Sequence, residues 1–406
     1  MAENKHTMQE LYQWQALPLN IKVLMTAERV RNWVDEFGED GVYLSFSGGK
    51  DSTVLGYIIR EVCGYKNIPF VFVDVPTQYP ELKQFAQTFD NLVILKPKIS
   101  FAEVCEKYGF PMISKEVANC VSGARKYVKY LDSQKSNNTI LTDRQTDRQT
   151  DRQTVPYACY MADLLGIDRR INKQNEKYKS LQMGVIPSGS EYRLRRLNGE
   201  LTDSKGNYSQ FNQEKYKFFL EAPFEISDLC CDIMKKKPAH DYEKETDRKP
   251  IIATMASESV MRTQKWLQDG CNAFNVTRPH SNPMSFWTEQ DVLLYIKENN
   301  LPICSVYGNV VVDYSAMGQC ENQMSFADFG IFDKERPLLK TTGCKRTGCV
   351  LCGFGCHLEK NPNRFQMLKE THPKFHNLLY ILKNNGVTYA EAIDWVNEHG
   401  NMNIKY

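Results

Sequence analysis

No apolar run in this chain approaches the length of a membrane span, which excludes a hydrophobic helix crossing a bilayer. The first residues, MAENKHTMQE, are polar and lack the apolar core of a secretion signal, so a cytoplasmic location and no membrane partner are the expectation. Charge of one sign is also missing. Fifty-one Lys and Arg stand against 49 Asp and Glu, and the net +2 gives the whole chain no basic excess for nucleic acid. What remains is ordinary for a globular protein: 406 residues, 42% hydrophobic and 25% charged, enough for two or three domains with real cores. Thirteen cysteines in a cytosolic setting are expected to be reduced, buried or metal-bound rather than paired.

The most informative segment is Ser47-Gly48-Gly49-Lys50-Asp51-Ser52. It follows the apolar run Gly41 to Phe46 and opens a helix-patterned stretch, Thr53 to Val62. Strand, glycine turn and helix together aim backbone N–H groups at an anion, and the helix N-terminus adds positive potential. Lys50 supplies a point charge, and Ser47 and Ser52 supply hydroxyl donors. The common phosphate-loop spacing GxxxxGK[ST] does not fit this loop. These residues predict a nucleotide-binding site.

Around it the pattern is α/β. Ile21, Val23, Leu24, Ala27, Val30 and Val34 fall at helical spacing within residues 20–36, and Ile68 to Val73 and Leu92 to Leu95 are short buried-strand runs. Strands alternating with helices predict a parallel sheet, with ligands beyond the strand carboxyl ends, where Ser47 and Asp74 fall. Residues 113–225 break this rhythm. They are polar and lysine-rich, with a basic cluster Tyr192 to Arg196 that reads as a solvated face ahead of the alternative, a nucleic-acid contact, and with TDRQ written three times between Thr142 and Thr154. A tandem ACAG array translates to repeated TDRQ, so the run predicts a gene whose frame shifts when one unit is gained or lost. The core resumes with the strand Pro250 to Thr254, a helix from Ser257 to about Gln268, and a capping-box start at Thr288-Glu289-Gln290-Asp291. Two helices are expected in the tail, Pro373 to Lys383 and Tyr389 to His399. The expected divisions are 1–112 and 226–310 for the two parts of the core, 113–225 for an insertion that is helical in part and disordered around the repeat, and 311–406 for a cysteine-rich and helical module.

The second strong signal is Cys344, Cys349, Cys352 and Cys356, set among glycines. Four thiolates so close in sequence suit one metal centre, either Zn²⁺ or an iron–sulfur cluster, and the compact asymmetric spacing is nearer to cluster-binding loops. His357 sits beside them.

The Ser47–Ser52 segment resembles the pyrophosphate-binding loop of the N-type ATP pyrophosphatases, the PP-loop superfamily. Val71 to Asp74 with Tyr79-Pro80-Glu81, Cys230-Cys231 with Lys235 and Pro238, Glu258-Ser259 with Arg262, and Trp287-Thr288 with Asp291-Val292 narrow the resemblance to the phosphoadenosine phosphosulfate (PAPS) reductase family. These matches run in family order over roughly residues 20–105 and 225–360. The resemblance implies an adenine nucleotide alpha hydrolase-like core, with Lys50, Asp51 and Arg262 catalytic. It implies nucleotide binding by Ser47, Gly48, Gly49, Lys50, Asp51, Ser52, Asp74, Ser259 and Arg262, and Mg²⁺ held near Asp51 or Asp74. It also implies a four-iron cluster. In the adenylylsulfate-reducing branch the ligands would be Cys230, Cys231, Cys349 and Cys352, an alternative to the local four.

Three activities compete. The first is cleavage of ATP at the α-phosphate coupled to sulfur transfer, with a nucleic-acid or protein acceptor and a sulfur or electron donor protein as partners. The second is reduction of PAPS or adenylylsulfate to sulfite. The family's reductases end in a Glu-Cys-Gly-Leu-His segment, whereas here no cysteine follows Cys356. The third is a non-enzymatic sensor of nucleotide or redox state, and an intact loop argues against it.

Overall fold

The computed structural model describes residues 4–142, 188–313 and 338–406. Of the TDRQ run, all but Thr142 lies outside the described residues. Two compact units form, residues 1–100 with 232–350, and residues 101–231 with 351–406. This division differs from the four sequence segments, because the segment after residue 113 and the C-terminal helices pack together as one body.

In the first unit, the strands β1 (Val42–Phe46), β2 (Phe70–Val73), β3 (Leu92–Leu95), β4 (Lys249–Ile252), β5 (Asn272–Ala273) and β6 (His280–Ser281) form one sheet in the order β3-β2-β1-β4-β6-β5. All neighbours are parallel except the edge pair β5–β6. The chain runs outward from β1 to β3 and then returns to β1's other side as β4. The strand order therefore reverses between β1 and β4, the place where an open α/β sheet leaves a crevice at its carboxyl edge. The sheet is buried on both faces: Val42, Leu44, Phe46, Phe70 and Phe72 share one face and are closed to solvent, beside Val30 and Trp33 of the helix α1 (Leu19–Phe37), while Tyr43 and Val71 are buried on the other. Burying each such side chain contributes about 1.5–3 kcal/mol.

Polar ties fix the register of the helices. Trp287 donates its indole N–H to Thr26 Oγ1 at 2.9 Å, and Lys22 Nζ reaches Asp291 Oδ2 at 2.7 Å. The capping box at Thr288 forms as its spacing predicts and starts the helix α4 (Glu289–Glu298). Gly270, at φ +74, ends an earlier helix.

In the second unit, the long helix Lys115–Thr142 packs on Ser188–Leu197, the arrangement being pinned by Arg196, which pairs with Glu116. The basic cluster thus has a structural use. Gly353–Phe354 pairs in parallel with Met112–Ile113, and the Phe110 and Tyr389 rings stack at 4.6 Å. The helix Tyr389–Gly400 forms behind its Thr388–Glu391 capping box. The expected helix Pro373 to Lys383 does not hold. It is helical only at Pro373–His376, continues as a 3₁₀ turn Asn377–Tyr380, and gives way to a hairpin pairing Lys383–Asn384 with Val387–Thr388. The cause is the Asn385-Gly386 turn, both residues at positive φ, which is the backbone a tight two-residue hairpin requires.

Candidate functional site

The Ser47–Ser52 loop leaves the end of β1 and enters the helix α2 (Lys50–Tyr57). Gly48 turns at φ +70, and a Cβ there would stand 3.0 Å from the Leu82 carbonyl oxygen. The loop is braced by its own hydroxyls. Ser47 N donates to Ser52 Oγ at 3.2 Å, Gly49 N donates to Ser47 Oγ at 3.2 Å, and Ser52 and Thr53 hydroxyls both donate to Gly49 O at 3.0 Å. Lys50 N donates to the Tyr307 hydroxyl at 3.3 Å.

Beside the loop, at the β1–β4 reversal, lies a cavity of about 930 Å³. Ser47, Gly49, Lys50, Asp51, Ser52 and Arg262 line it, so six of the residues expected at a nucleotide converge there. Three others stand elsewhere. Gly48 supplies the turn, Ser259 caps the helix α3 (Val260–Asp269) by accepting from Arg262 N at 3.3 Å, and Asp74 pairs with Lys83 at 2.6 Å. None of the three lines the cavity.

Lys50 is only 4% exposed, and its ammonium lies 3.1 Å from the Glu289 carboxylate and donates to Lys345 O at 2.9 Å. Asp51 has the opposite problem. Burial pushes its carboxyl above the usual range, Lys50 pulls it back, Glu289 adds to the rise, and Arg346 and Arg262 oppose it. Its Oδ1 is buried without a hydrogen-bond partner among the described residues. Arg262 pairs with Glu258 one turn earlier, while burial first and then the like charge of Arg346 weigh against its protonated form. The Tyr307 hydroxyl is pushed up to about 12 by burial, so it stays neutral and shares a hydrogen bond with Thr347 Oγ1 at 2.8 Å. Taken together, the cavity offers hydroxyls and several cations to an anion, with one strained carboxylate among them.

The strain gives a test. Asp51's folded pKa lies above its unfolded value, so protonation favours the folded state, and the carboxylate's cost grows as pH rises through the folded value. Asp51→Asn is therefore expected to stabilise the fold at neutral pH by about 1 kcal/mol, the scale of relieving one functional-site cost. The gain should vanish in acid, and turnover should fall at every pH. A lower Tm at neutral pH would make Asp51 a support of the fold instead.

The expected metal ligands are divided between the units. Cys344 and Cys349 belong to the first, where Cys344 N donates to Val306 O at 2.8 Å. Cys352, Cys356, Cys230 and Cys231 belong to the second. There Cys352 O accepts from Arg364 at 2.9 Å, and burial pushes the Cys356 thiol up to about 12. The Tyr389 hydroxyl is held far above its ordinary range by burial first, and then by Cys352, Cys105, Cys356 and Cys230 around it. Cysteine thiolates are a donor set that suits zinc or an iron–sulfur cluster. Among the described residues, no three His, Cys, Asp or Glu side chains gather as they would around a metal ion.

Sequence reasoning missed Glu289, Tyr307, Arg346 and Thr347. Glu289 had a signal, its place in the first turn after Thr288, next to the nucleotide helix in the expected topology. The other three come to the loop only through tertiary structure.

Residues 190–353 match the family model described as the phosphoadenosine phosphosulfate reductase domain. No curated protein matches the chain in sequence. Among solved structures, the chain is similar to the phosphoadenylyl-sulfate (PAPS) reductase of Candida auris, crystallised as a phosphate complex. That likeness has 14% identity and a TM-score of 0.32, and covers 77% of this chain and 98% of the other. Among the described residues, no helix is long and apolar enough to cross a membrane.

Proposed function

We propose, from the PAPS reductase family to which residues 190–353 assign the chain, an enzyme that binds an adenine nucleotide by its phosphates and cleaves it at the α-phosphate. The observation that carries this reading is the braced Ser47–Ser52 loop, with Lys50 aimed beside an open cavity at the sheet's strand-order reversal.

With ATP, an acceptor oxygen attacks the α-phosphorus, and the bond to the bridging oxygen breaks. Pyrophosphate leaves with that electron pair, and the acceptor holds the adenylyl group. Negative charge builds on the leaving oxygens, and the Lys50 ammonium supplies the opposing charge. To receive a phosphate, Lys50 gives up its contact with Glu289, which is half-exposed and returns to water at small cost. Arg262 takes a second anionic group, and Tyr307 holds the loop's first helical N–H in place. Mg²⁺, when bound, supplies charge neutralisation between phosphates, and the unpartnered Asp51 Oδ1 suits it, whereas Asp74 is committed to Lys83. Sulfur transfer to a nucleic-acid or protein acceptor would follow from the adenylate. The cysteine run is proposed as a metal site on its donor chemistry alone, and no step here depends on it. Metal analysis of anaerobically purified protein, with Cys352→Ser and Cys230→Ser compared, separates iron–sulfur from zinc and the local ligand set from the alternative.

The second reading is reduction of PAPS to sulfite. It is favoured by the description of the matched family model. Incubating anaerobic protein with ATP or PAPS decides between them. Consumption of ATP with release of pyrophosphate supports the first reading. Consumption of PAPS with release of sulfite replaces it, and consumption of neither removes both.

A further inference from the structure

One wall of the cavity is not part of the nucleotide-binding loop at all. It is the segment 346–348, which leads into Cys349 and follows Cys344. Its position is fixed by contacts on both sides. Gly343 N donates to Tyr307 O at 2.9 Å, and a Cβ on Gly343 would stand 2.3 Å from Val306 O, so only glycine permits this approach. Thr347 Oγ1 lies 2.8 Å from the Tyr307 hydroxyl, and Lys345 O accepts from Lys50 at 2.9 Å. The segment is fastened to the floor of the cavity.

Arg346 is the residue this fastening presents to the cavity, and its state is unlike that of its neighbours. Lys50 has Glu289, Arg262 has Glu258, and Lys236 has Asp232. Arg346 is exposed, and among the described residues it makes no hydrogen bond and no ion pair. Its charge is felt by Asp51 and by Arg262, and both guanidinium groups line the cavity. An anion bound there would turn their mutual repulsion into attraction to both, and guanidinium is the group that suits phosphate or sulfate oxygens in pairs.

We propose that Arg346 is a further substrate-contact residue, binding an anionic phosphate or sulfate group of the nucleotide together with Arg262. The inference rests on the nucleotide reading of the cavity. Its consequence is that an occupied cavity holds the segment between Cys344 and Cys349 in place, because substrate bridges that segment to α3. Binding and the arrangement of those cysteines are then linked, each favouring the other.

Titration calorimetry with ATP, PAPS and AMP on wild-type protein and on Arg346→Ala tests this. Whichever of ATP and PAPS binds the wild type is expected to bind the variant about tenfold or more weakly, the usual scale for one lost charged contact. AMP, with a single phosphate, should lose less. Arg346→Lys should restore part of the affinity, and the Tm of both variants should match wild type, since Arg346 supports no contact in the fold. The dependence of affinity on salt should become shallower in Arg346→Ala. Equal affinity in wild type and Arg346→Ala overturns the assignment while leaving the nucleotide reading intact. Wild-type protein that binds none of the three overturns the nucleotide reading and the assignment with it.

Discussion

Lys50→Ala is expected to lower nucleotide turnover by about a hundredfold to a thousandfold, or about 2.7–4 kcal/mol in the barrier, the scale of removing one preorganised donor from developing charge. The size follows from where Lys50 sits. Its ammonium is almost closed to solvent, over the Tyr307 ring at 5.4 Å and fixed by the Lys345 carbonyl, so it meets the phosphates without paying to become ordered. The fold should survive. Glu289, the partner left behind, is 49% exposed and is solvated once Lys50 is gone, so no buried charge is stranded. Turnover in the variant equal to that of wild type would take the loop out of the chemistry.

A larger cost to stability is expected from Lys22→Met. Lys22 is 2% exposed, and its ammonium bridges Gln15 O at 2.6 Å and Asp291 Oδ2 at 2.7 Å. The same Asp291 oxygen also accepts from Thr288 N at 2.7 Å and from Thr288 Oγ1 at 2.8 Å, so it starts α4. Methionine fills the space but leaves a carboxylate with no cation beside it, and breaking a buried pair in this way costs about 3–5 kcal/mol. Urea unfolding of the variant measures it. Adding Asp291→Asn to Lys22→Met should recover part of the loss, because the second change removes the stranded charge while keeping an oxygen for the cap. Turnover should fall as well, since Glu289 and Gln290, on the first turn of α4, line the cavity. A loss below about 1 kcal/mol would place Lys22 and Asp291 among ordinary surface pairs.

The two residues lie 269 positions apart, and this explains much of what the sequence left hidden. Lys22 reads as a polar position on an amphipathic helix, and nothing within that helix shows that it is closed to water. Local signals fared better. The glycine loop, the strand at Leu92–Leu95 and the capping boxes at Thr288 and Thr388 depend on neighbouring residues alone, and all stand where their spacing places them. Asp74 shows the limit of such reasoning. Its position after β2 suited a ligand, but Lys83 at the following helix is close enough to take its charge. The Asn385-Gly386 pair was legible as a hairpin turn, since both residues tolerate positive φ, and the apolar spacing around it reads more readily as helix. Arg346 could not be found this way. Its role depends on Gly343 allowing one loop to lie against another, a close approach that no sequence period encodes.

The most direct measurement is titration calorimetry of ATP and of PAPS against wild-type protein and Lys50→Ala, with circular dichroism confirming that both are folded. If the phosphates are held at the Ser47–Ser52 loop, one of the two nucleotides binds the wild type, and its affinity falls in the variant. Equal affinity for that nucleotide in both folded proteins would contradict a phosphate site at Lys50.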